Sequence, residues 1–390
     1  MIYLDNHSTT RLDPRVLEAM LPWLTDHYGN AGSTTHEMGR EAREAVDAAR
    51  ETFATAIGAT AREIVFTSGA TESNNLAILG TASRRGTAKG HVITVATEHH
   101  AVLDPIEHLD REGFAVTRLP VAAGTGLLDP AAVAAALRPD TFLVSVMLAN
   151  NEIGTVQDIP AIAAAVHGHD AVFHVDCAQA LGRMPVDVDA LGADLASFSA
   201  HKFHGPKGVG GLYVRRRERA VRVDPLVFGG GQERGMRSGT LDVPGIVGMA
   251  EAARLAASSV ADESPQLRRL RDRLWDRLER GVRRLRLNGP PLDAAANHGG
   301  RLPNNLNVHV PGVEGQTLLA TLAGEGLAVS SGSACSSENP RPSHVLLAIG
   351  LTDDEARASL RFGVSRFTTE AEIDRAAEVI AAGVARLRRM

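Results

Sequence analysis

The chain has 390 residues, 44% of them hydrophobic, which is enough for one large domain with its own core and a smaller one. Its 41 Lys plus Arg against 46 Asp plus Glu give a formal charge of −5, which excludes the strongly basic balance of a nucleic-acid-binding surface. No run of about 18 apolar residues suggests a membrane span, Met1–Asn6 lacks a signal-peptide pattern, and two cysteines, Cys177 and Cys335, make no disulfide framework; a cytoplasmic enzyme is the expectation.

In chain order, residues 63–67, 91–95, 141–146, 172–176, 194–198 and 209–214 read as short, buried strands. Helical stretches fall between the earlier ones, at 41–55, 74–84 and 130–137. That alternation predicts an α/β fold with a large, mostly parallel sheet covered on both faces, and such sheets bind ligands at the carboxyl ends of their strands. The residues just past each strand are therefore informative.

After the first comes Ser68-Gly69-Ala70-Thr71-Glu72-Ser73-Asn74, small residues entering a helix whose free amides suit phosphate. Taken alone it reads as an ordinary cap with Thr71 or Ser73 at the N-cap, and it lacks the ending of a P-loop. The later strands lead into Thr97-Glu98-His99-His100, Asn150-Asn151-Glu152-Ile153-Gly154, Asp176-Cys177-Ala178-Gln179 and Ser199-Ala200-His201-Lys202. Each is explicable as turn chemistry. Together, at one sheet edge, they supply an acid, a planar side chain, amide donors and hydroxyls, the groups a pyridine–phosphate cofactor needs.

Lysine is rare here. Only Lys89, Lys202 and Lys207 occur, arginine having taken the other cationic positions. Lysine can lose its proton and act as a nucleophile, whereas arginine cannot. Lys202, in a polar turn between two buried strands, is thus a candidate Schiff-base residue for a carbonyl cofactor such as pyridoxal 5′-phosphate.

The C-terminal part reads as the smaller domain. Residues 266–287 predict a helix with Leu267, Leu270, Leu274, Leu278 and Leu285 on one face and a solvated face of interleaved arginines and acids. Residues 328–342, small, polar and punctuated by Gly and Pro, read as a mobile surface loop that exposes Cys335. An ordinary thiol has a pKa of about 8.5, so a modest cationic bias there would yield a nucleophilic thiolate. Cys177, beside a buried strand, reads as a small core residue.

These motifs resemble the class V aminotransferase family of pyridoxal phosphate enzymes (fold type I, aspartate aminotransferase-like) and, within it, the IscS/NifS-type (group I) cysteine desulfurases. The resemblance runs nearly end to end, through Tyr3-Leu4-Asp5 with Thr9-Thr10, Gly29-Asn30 with His36, 67–74, 97–99, 150–154, 199–208, 229–240, 330–335 and Arg361-Phe362. It implies a large cofactor-binding domain at 15–255 and a small domain formed by 1–14 and 256–390. It implies that Lys202 links to the cofactor and moves the Cα proton, that Asp176 pairs with the ring nitrogen, and that His99 covers the ring and shuttles protons. Gln179 and Asn151 are expected at the ring oxygen, and Ala70, Thr71, Ser199 and His201 at the phosphate. Thr240 is expected at the phosphate of a partner subunit, in a homodimer with composite sites. Arg361, helped by Asn30 or His36, would hold the L-cysteine carboxylate. Cys335 would take the sulfur as a persulfide, deliver it to a protein acceptor such as an iron–sulfur scaffold, and serve there as a transient cluster ligand. No resident metal is expected, the His99-His100 and His201/His204 pairs being otherwise accounted for.

Two positions depart from the family pattern: Ser8 where alanine is common and Ala200 where glycine is common, neither removing a catalytic group. The long form of the Cys335–Ser343 stretch, without Arg-x-Gly-His-His-Cys, is typical of the IscS/NifS group rather than the SufS group. A class V aminotransferase would share the cofactor site without needing Cys335. A selenocysteine lyase would use nearly the same set, and a partner-binding scaffold would not need the set at all.

Overall fold

The structure, a computed structural model, describes residues 1–294, 299–331 and 342–389. The chain opens with β1 (Ile2–Tyr3), α1 (Pro14–Leu24), α2 (Glu37–Ala56), β2 (Ile64–Thr67) and α3 (Ala70–Ser83). Then come β3 (His91–Val95), α4 (His100–Arg111), β4 (Ala115–Leu119), α5 (Pro130–Ala136), β5 (Thr141–Met147) and α6 (Ile159–His167). Next are β6 (Val172–Asp176), β7 (Leu195–Ser199), β8 (Gly210–Val214) and the long α7 (Val243–Gly281). The C-terminal part holds β9 (Arg286–Leu287), β10 (Asn305–His309), α8 (Gly315–Gly324), β11 (Leu327–Ala328), α9 (His344–Ala348), α10 (Asp353–Arg357), β12 (Ser359–Gly363) and α11 (Glu370–Leu387).

Seven strands form the main sheet in the order β2-β8-β7-β6-β5-β3-β4. β8 is antiparallel to both neighbours, and the other six run the same way. The predicted strands are thus present, and the five that precede the motifs end at one edge. Alternation along the strands separates two packed faces. Ile64, Phe66, Ile93, Val144, Phe173, Val175, Ala196 and Phe198 join one core with α2, α6 and the first half of α7. Val65, Val92, Leu143, Leu195 and Leu212 face α3 and α4 on the other. Between β5, β6 and β7 the fully buried His174 bridges Ser145 at 2.8 Å and Ser197 at 3.0 Å, satisfying both ring nitrogens inside the sheet.

A second core gathers Leu4 with Leu267, Leu270, Leu274 and Leu278 of α7, Leu306 and Val308 of β10, Leu360 and Phe362 of β12, and Ile373 and Val384 of α11. α7, 39 residues and roughly 58 Å long at 1.5 Å per residue, packs its first half in one core and its second half in the other. The predicted helical stripe is corrected at its end. α7 stops at Gly281, Val282 is extended and Arg284 has a φ of 63°, so Leu285 lies past the helix instead of extending its buried face.

The stretch after β8 is tied down by a buried ion pair. Arg50 donates to both carboxylate oxygens of Glu233 at 2.7 and 2.6 Å, and the amide of Phe66 donates to the same carboxylate at 2.8 Å. Glu233 and Arg234 sit at positive φ, 49° and 57°, so the clamp holds backbone that would otherwise relax. Glu233→Ala leaves Arg50 buried without its carboxylate and is expected to lower stability by about 3–5 kcal/mol, read by denaturant unfolding.

Candidate active site

The carboxyl ends of β2, β3, β5, β6 and β7 open into a cavity of about 1060 Å³. Its wall includes Ala70, Thr71, His99, Asn151, Asp176, Gln179, Ser199, His201, Lys202 and Arg361, ten of the residues expected there from the sequence. Asn30, His36 and Thr240 are exposed and do not line it. Asn30 instead closes a turn onto the amide of Gly32 at 2.8 Å, and His36 caps α2 through the amide of Gly39. Cys335 lies outside the described residues. Cys177 is buried, and its thiol is pushed well above the ordinary value by burial, as a core residue should be. Among the described residues no group of three His, Cys, Asp or Glu is placed to hold a metal.

At the β2–α3 turn the expected caps are corrected. α3 starts at Ala70, so Thr71 and Ser73 lie within its first turn, and the N-cap Gly69 provides no side-chain bond. An uncapped first turn leaves amides for an anion. The backbone here passes so close to β8 that a Cβ on Gly210 would lie 2.5 Å from the Cα of Gly69. Bulk is therefore barred beside the anion cradle.

Asp176 ends β6. Its Oδ2 accepts from Asn74 Nδ2 at 2.8 Å and its Oδ1 from the amide of Ala178 at 2.9 Å, fixing the carboxyl plane. His99 caps α4 by accepting the amide of Ala101 at Nδ1, 3.0 Å. Burial pushes the ring below its ordinary pKa, Asp176 opposing the shift and Lys202 adding to it. The ring is therefore neutral, with its proton on Nε2. His201 bonds Thr9 Oγ1 and is lowered to about 4, chiefly by burial and then by Lys202.

Lys202 Nζ donates to the carbonyls of His7 at 2.6 Å and Ser8 at 2.9 Å. His7 was not anticipated as a site residue. It is buried, its pKa lowered to about 3 mainly by burial, and its Nδ1–H donates to Gln179 Oε1 at 3.0 Å while Gln179 Nε2 returns a bond to the carbonyl of His7. That reciprocal pair fixes which way the Gln179 amide points. Arg361, on β12, donates from Nη2 to Asp5 and Ser8 and from Nη1 to the carbonyl of Asn151.

Two further residues on the wall had no signal in the sequence beyond their motifs. One is Asn74, the support of Asp176. The other, Glu98, is completely buried, accepts the amide of Met147 through Oε1 at 2.7 Å, and leaves Oε2 without a partner. On the far wall, Ser343 donates to Glu152 and His344 Nε2–H to the carbonyl of Glu98.

This donor set fits pyridoxal 5′-phosphate. It offers an amine for the aldehyde, an acid for the ring nitrogen, an oriented amide for the ring oxygen and an uncapped helix start for the phosphate, within a cavity of sufficient size.

Residues 2–376 match the family described as Aminotransferase class-V. A cysteine desulfurase IscS from Anaeromyxobacter dehalogenans (strain 2CP-C) is 52% identical over 389 residues, covering all of this chain and 94% of that protein. A solved NifS-like protein superposes with a TM-score of 0.90 at 38% identity, covering 99% of this chain and all of that one. A structure of SspA in complex with cysteine has a TM-score of 0.81 at 37% identity, covering 95% of this chain and all of that one. The chain belongs to the class V aminotransferase family, and within it to the cysteine desulfurases of the IscS/NifS type.

Burial raises the Glu98 carboxyl well above its ordinary value, and the nearby Asp176 charge adds to the rise. Burial thus biases Glu98 toward its protonated form. A raised folded-state pKa contributes stability below the ordinary carboxyl value, and that contribution is lost as pH rises toward the folded value, by about 1.4 kcal/mol per pH unit. Glu98→Gln keeps the shape and removes the titration, so its stability relative to the parent is expected to climb as pH rises above the ordinary carboxyl range, as thermal unfolding at each pH will read.

Proposed function

We propose that this protein is a pyridoxal phosphate-dependent cysteine desulfurase that converts L-cysteine to L-alanine and leaves the sulfur on Cys335 as a persulfide. The observation that carries the reading is the joining of Lys202, Asp176, His99, Gln179 and Arg361 around one cavity by residues distant in sequence. The bound cofactor supplies an electron sink that stabilises negative charge at the substrate Cα.

The chain's own groups do the rest. The first turn of α3, with Ser199 and His201, would hold the phosphate; Asp176, steadied by Asn74, would pair with the ring nitrogen; Gln179 and Asn151 would orient the ring oxygen. Lys202 Nζ is the amine that would hold the cofactor through its aldehyde carbon and, once released, would take the substrate Cα proton. The carbonyls of His7 and Ser8 aim that amine. His99, its Nδ1 accepting the amide of Ala101, would cover the ring and exchange protons with the substrate. Arg361 binds the α-carboxylate. Cys335 thiolate attacks the substrate Sγ, the Cβ–Sγ bond breaks toward carbon, and Cβ takes up a proton. The balance is L-cysteine plus the Cys335 thiol giving L-alanine plus the Cys335 persulfide.

The solved relative in complex with cysteine supports the substrate. The outer sulfur of the persulfide then passes to a protein acceptor such as an iron–sulfur scaffold. Asn30, His36 and Thr240 act in the partner's site of a homodimer. Their exposure outside this chain's own cavity supports that assignment, as do the neighbouring apolar Tyr28 and Phe228, 73% and 81% exposed.

The test is L-cysteine turnover by the holoenzyme with a thiol reductant, assaying sulfide and alanine together. Equal amounts are expected, and Cys335→Ala is expected to keep the cofactor's colour while losing sulfide release by at least about 10³-fold, the scale of losing a covalent nucleophile. Sulfide release indifferent to Cys335 would overturn the assignment.

A further inference from the structure

Arg361 has its central nitrogen already committed. The side chain is 3% exposed, on β12, where Leu360 and Phe362 on either side enter the second core. Nη2 donates one hydrogen to Asp5 Oδ1 at 2.9 Å and the other to Ser8 Oγ at 2.8 Å. Nη1 donates to the carbonyl of Asn151 at 3.2 Å, and Nε is buried without a partner.

A guanidinium grips a carboxylate two-pronged along either of two edges, Nε with Nη2 or Nη1 with Nη2. Both edges include Nη2. With both Nη2 hydrogens taken, neither edge has two open donors, so a ligand carboxylate gains a bidentate grip only by displacing Asp5 or Ser8.

We propose that Asp5, seconded by Ser8, is the resident competitor for the substrate carboxylate on Arg361, a specificity-determining residue of the site. The proposal rests on the reading of Arg361 as the carboxylate-binding group. Asp5 compensates the buried guanidinium while no ligand is present. Only a ligand that brings its own carboxylate can take Asp5's place without leaving that charge unpaired in a poorly hydrated site. The exchange therefore lowers affinity for ligands that carry an α-carboxylate, while an amine without one leaves Asp5 on Arg361 and gains no grip there. Ser8 is well placed to take part, because its hydroxyl lies on Arg361 while its carbonyl lies on Lys202. An alanine at this position would keep the second contact and lose the first.

The experiment titrates the holoenzyme with L-alanine and with L-alaninamide, reading the absorbance of the bound cofactor, and measures KM and kcat for L-cysteine. In Asp5→Asn the dissociation constant of L-alanine is expected to fall about tenfold, the scale of a hydrogen bond to a charged group. KM for L-cysteine should fall with it, kcat should change less, and L-alaninamide binding should stay put. Ser8→Ala, which frees one Nη2 hydrogen and tests the idea even where Asp5→Asn folds poorly, should tighten L-alanine about threefold. Weakened or unchanged L-alanine binding in both variants overturns the proposal, as does equal tightening of the amide. Sulfide release by the parent enzyme, read in parallel, reports on the desulfurase reading separately, since the comparison of carboxylate with amide does not depend on turnover.

Discussion

The site depends on one contact between the beginning of the chain and its middle: the Lys202 amine held by the carbonyls of His7 and Ser8. Carbonyl oxygens orient an amine without neutralising it. Neighbouring bonds keep the two segments in register. The amide and hydroxyl of Thr10 both donate to the carbonyl of His201, and the amide of Asp13 donates to the carbonyl of His204. The same opening segment is fastened to the second core, where β1 pairs with β11 and Asn6 Nδ2 donates to the carbonyl of Gly363 at 2.7 Å. Residues 2–13 therefore fix the catalytic turn of one core against the strand of the other that carries Arg361.

Around that frame burial shifts several wall groups toward their neutral forms. His7, His99 and His201 are all shifted toward the neutral form by burial, and Glu98 is shifted toward the protonated form by the same cause. The support runs deeper. Arg301, fully buried, donates to Asn305 Oδ1 at 2.9 Å, and Asn305 Nδ2 in turn reaches His7 Nε2 at 3.2 Å. A buried guanidinium thereby fixes the tautomer of a histidine whose other nitrogen fixes Gln179. Beside such neutral groups, the guanidinium of Arg361 acts on a bound ligand with reduced screening.

The fold was legible because the parallel strands are continuous apolar runs bounded by polar motifs, and burial of both sheet faces demands that pattern. The residues of the cavity were legible where they terminate strands. What escaped was long-range. Nothing local marks His7 as the partner of Gln179, 172 positions away, or Asn74 as the support of Asp176, 102 positions away. Glu98 looks like any acid before a helix until its burial is known. Thr71 and Ser73 satisfy the residue preferences of an N-cap, yet the helix begins earlier, after Gly69 at a φ of +151°, where Gly210 of β8 lets the two backbones pass close. The leucine stripe overshot for a similar reason, since Arg284 at positive φ turns the chain where side-chain periodicity alone would continue it. Ser8 stood out only as an unusual residue, and its hydroxyl acquires meaning from a strand more than 350 positions later.

The strand carrying Arg361 does a second job. Its backbone exchanges hydrogen bonds with Ser330, the amide of Arg361 donating at 2.6 Å and its carbonyl accepting at 3.3 Å. Beyond the stretch that includes Cys335, Ser343 is buried against Glu152, whose carbonyl accepts from Asn305 and Asn307. The chain therefore leaves for that stretch from the strand of Arg361 and returns to the wall built around Glu98 and Glu152. Displacing Asp5 from Arg361 alters a side chain whose own backbone anchors one end of the cysteine-bearing segment. The proposed carboxylate-binding side chain and the backbone from which the chain leaves for Cys335 thus share one strand.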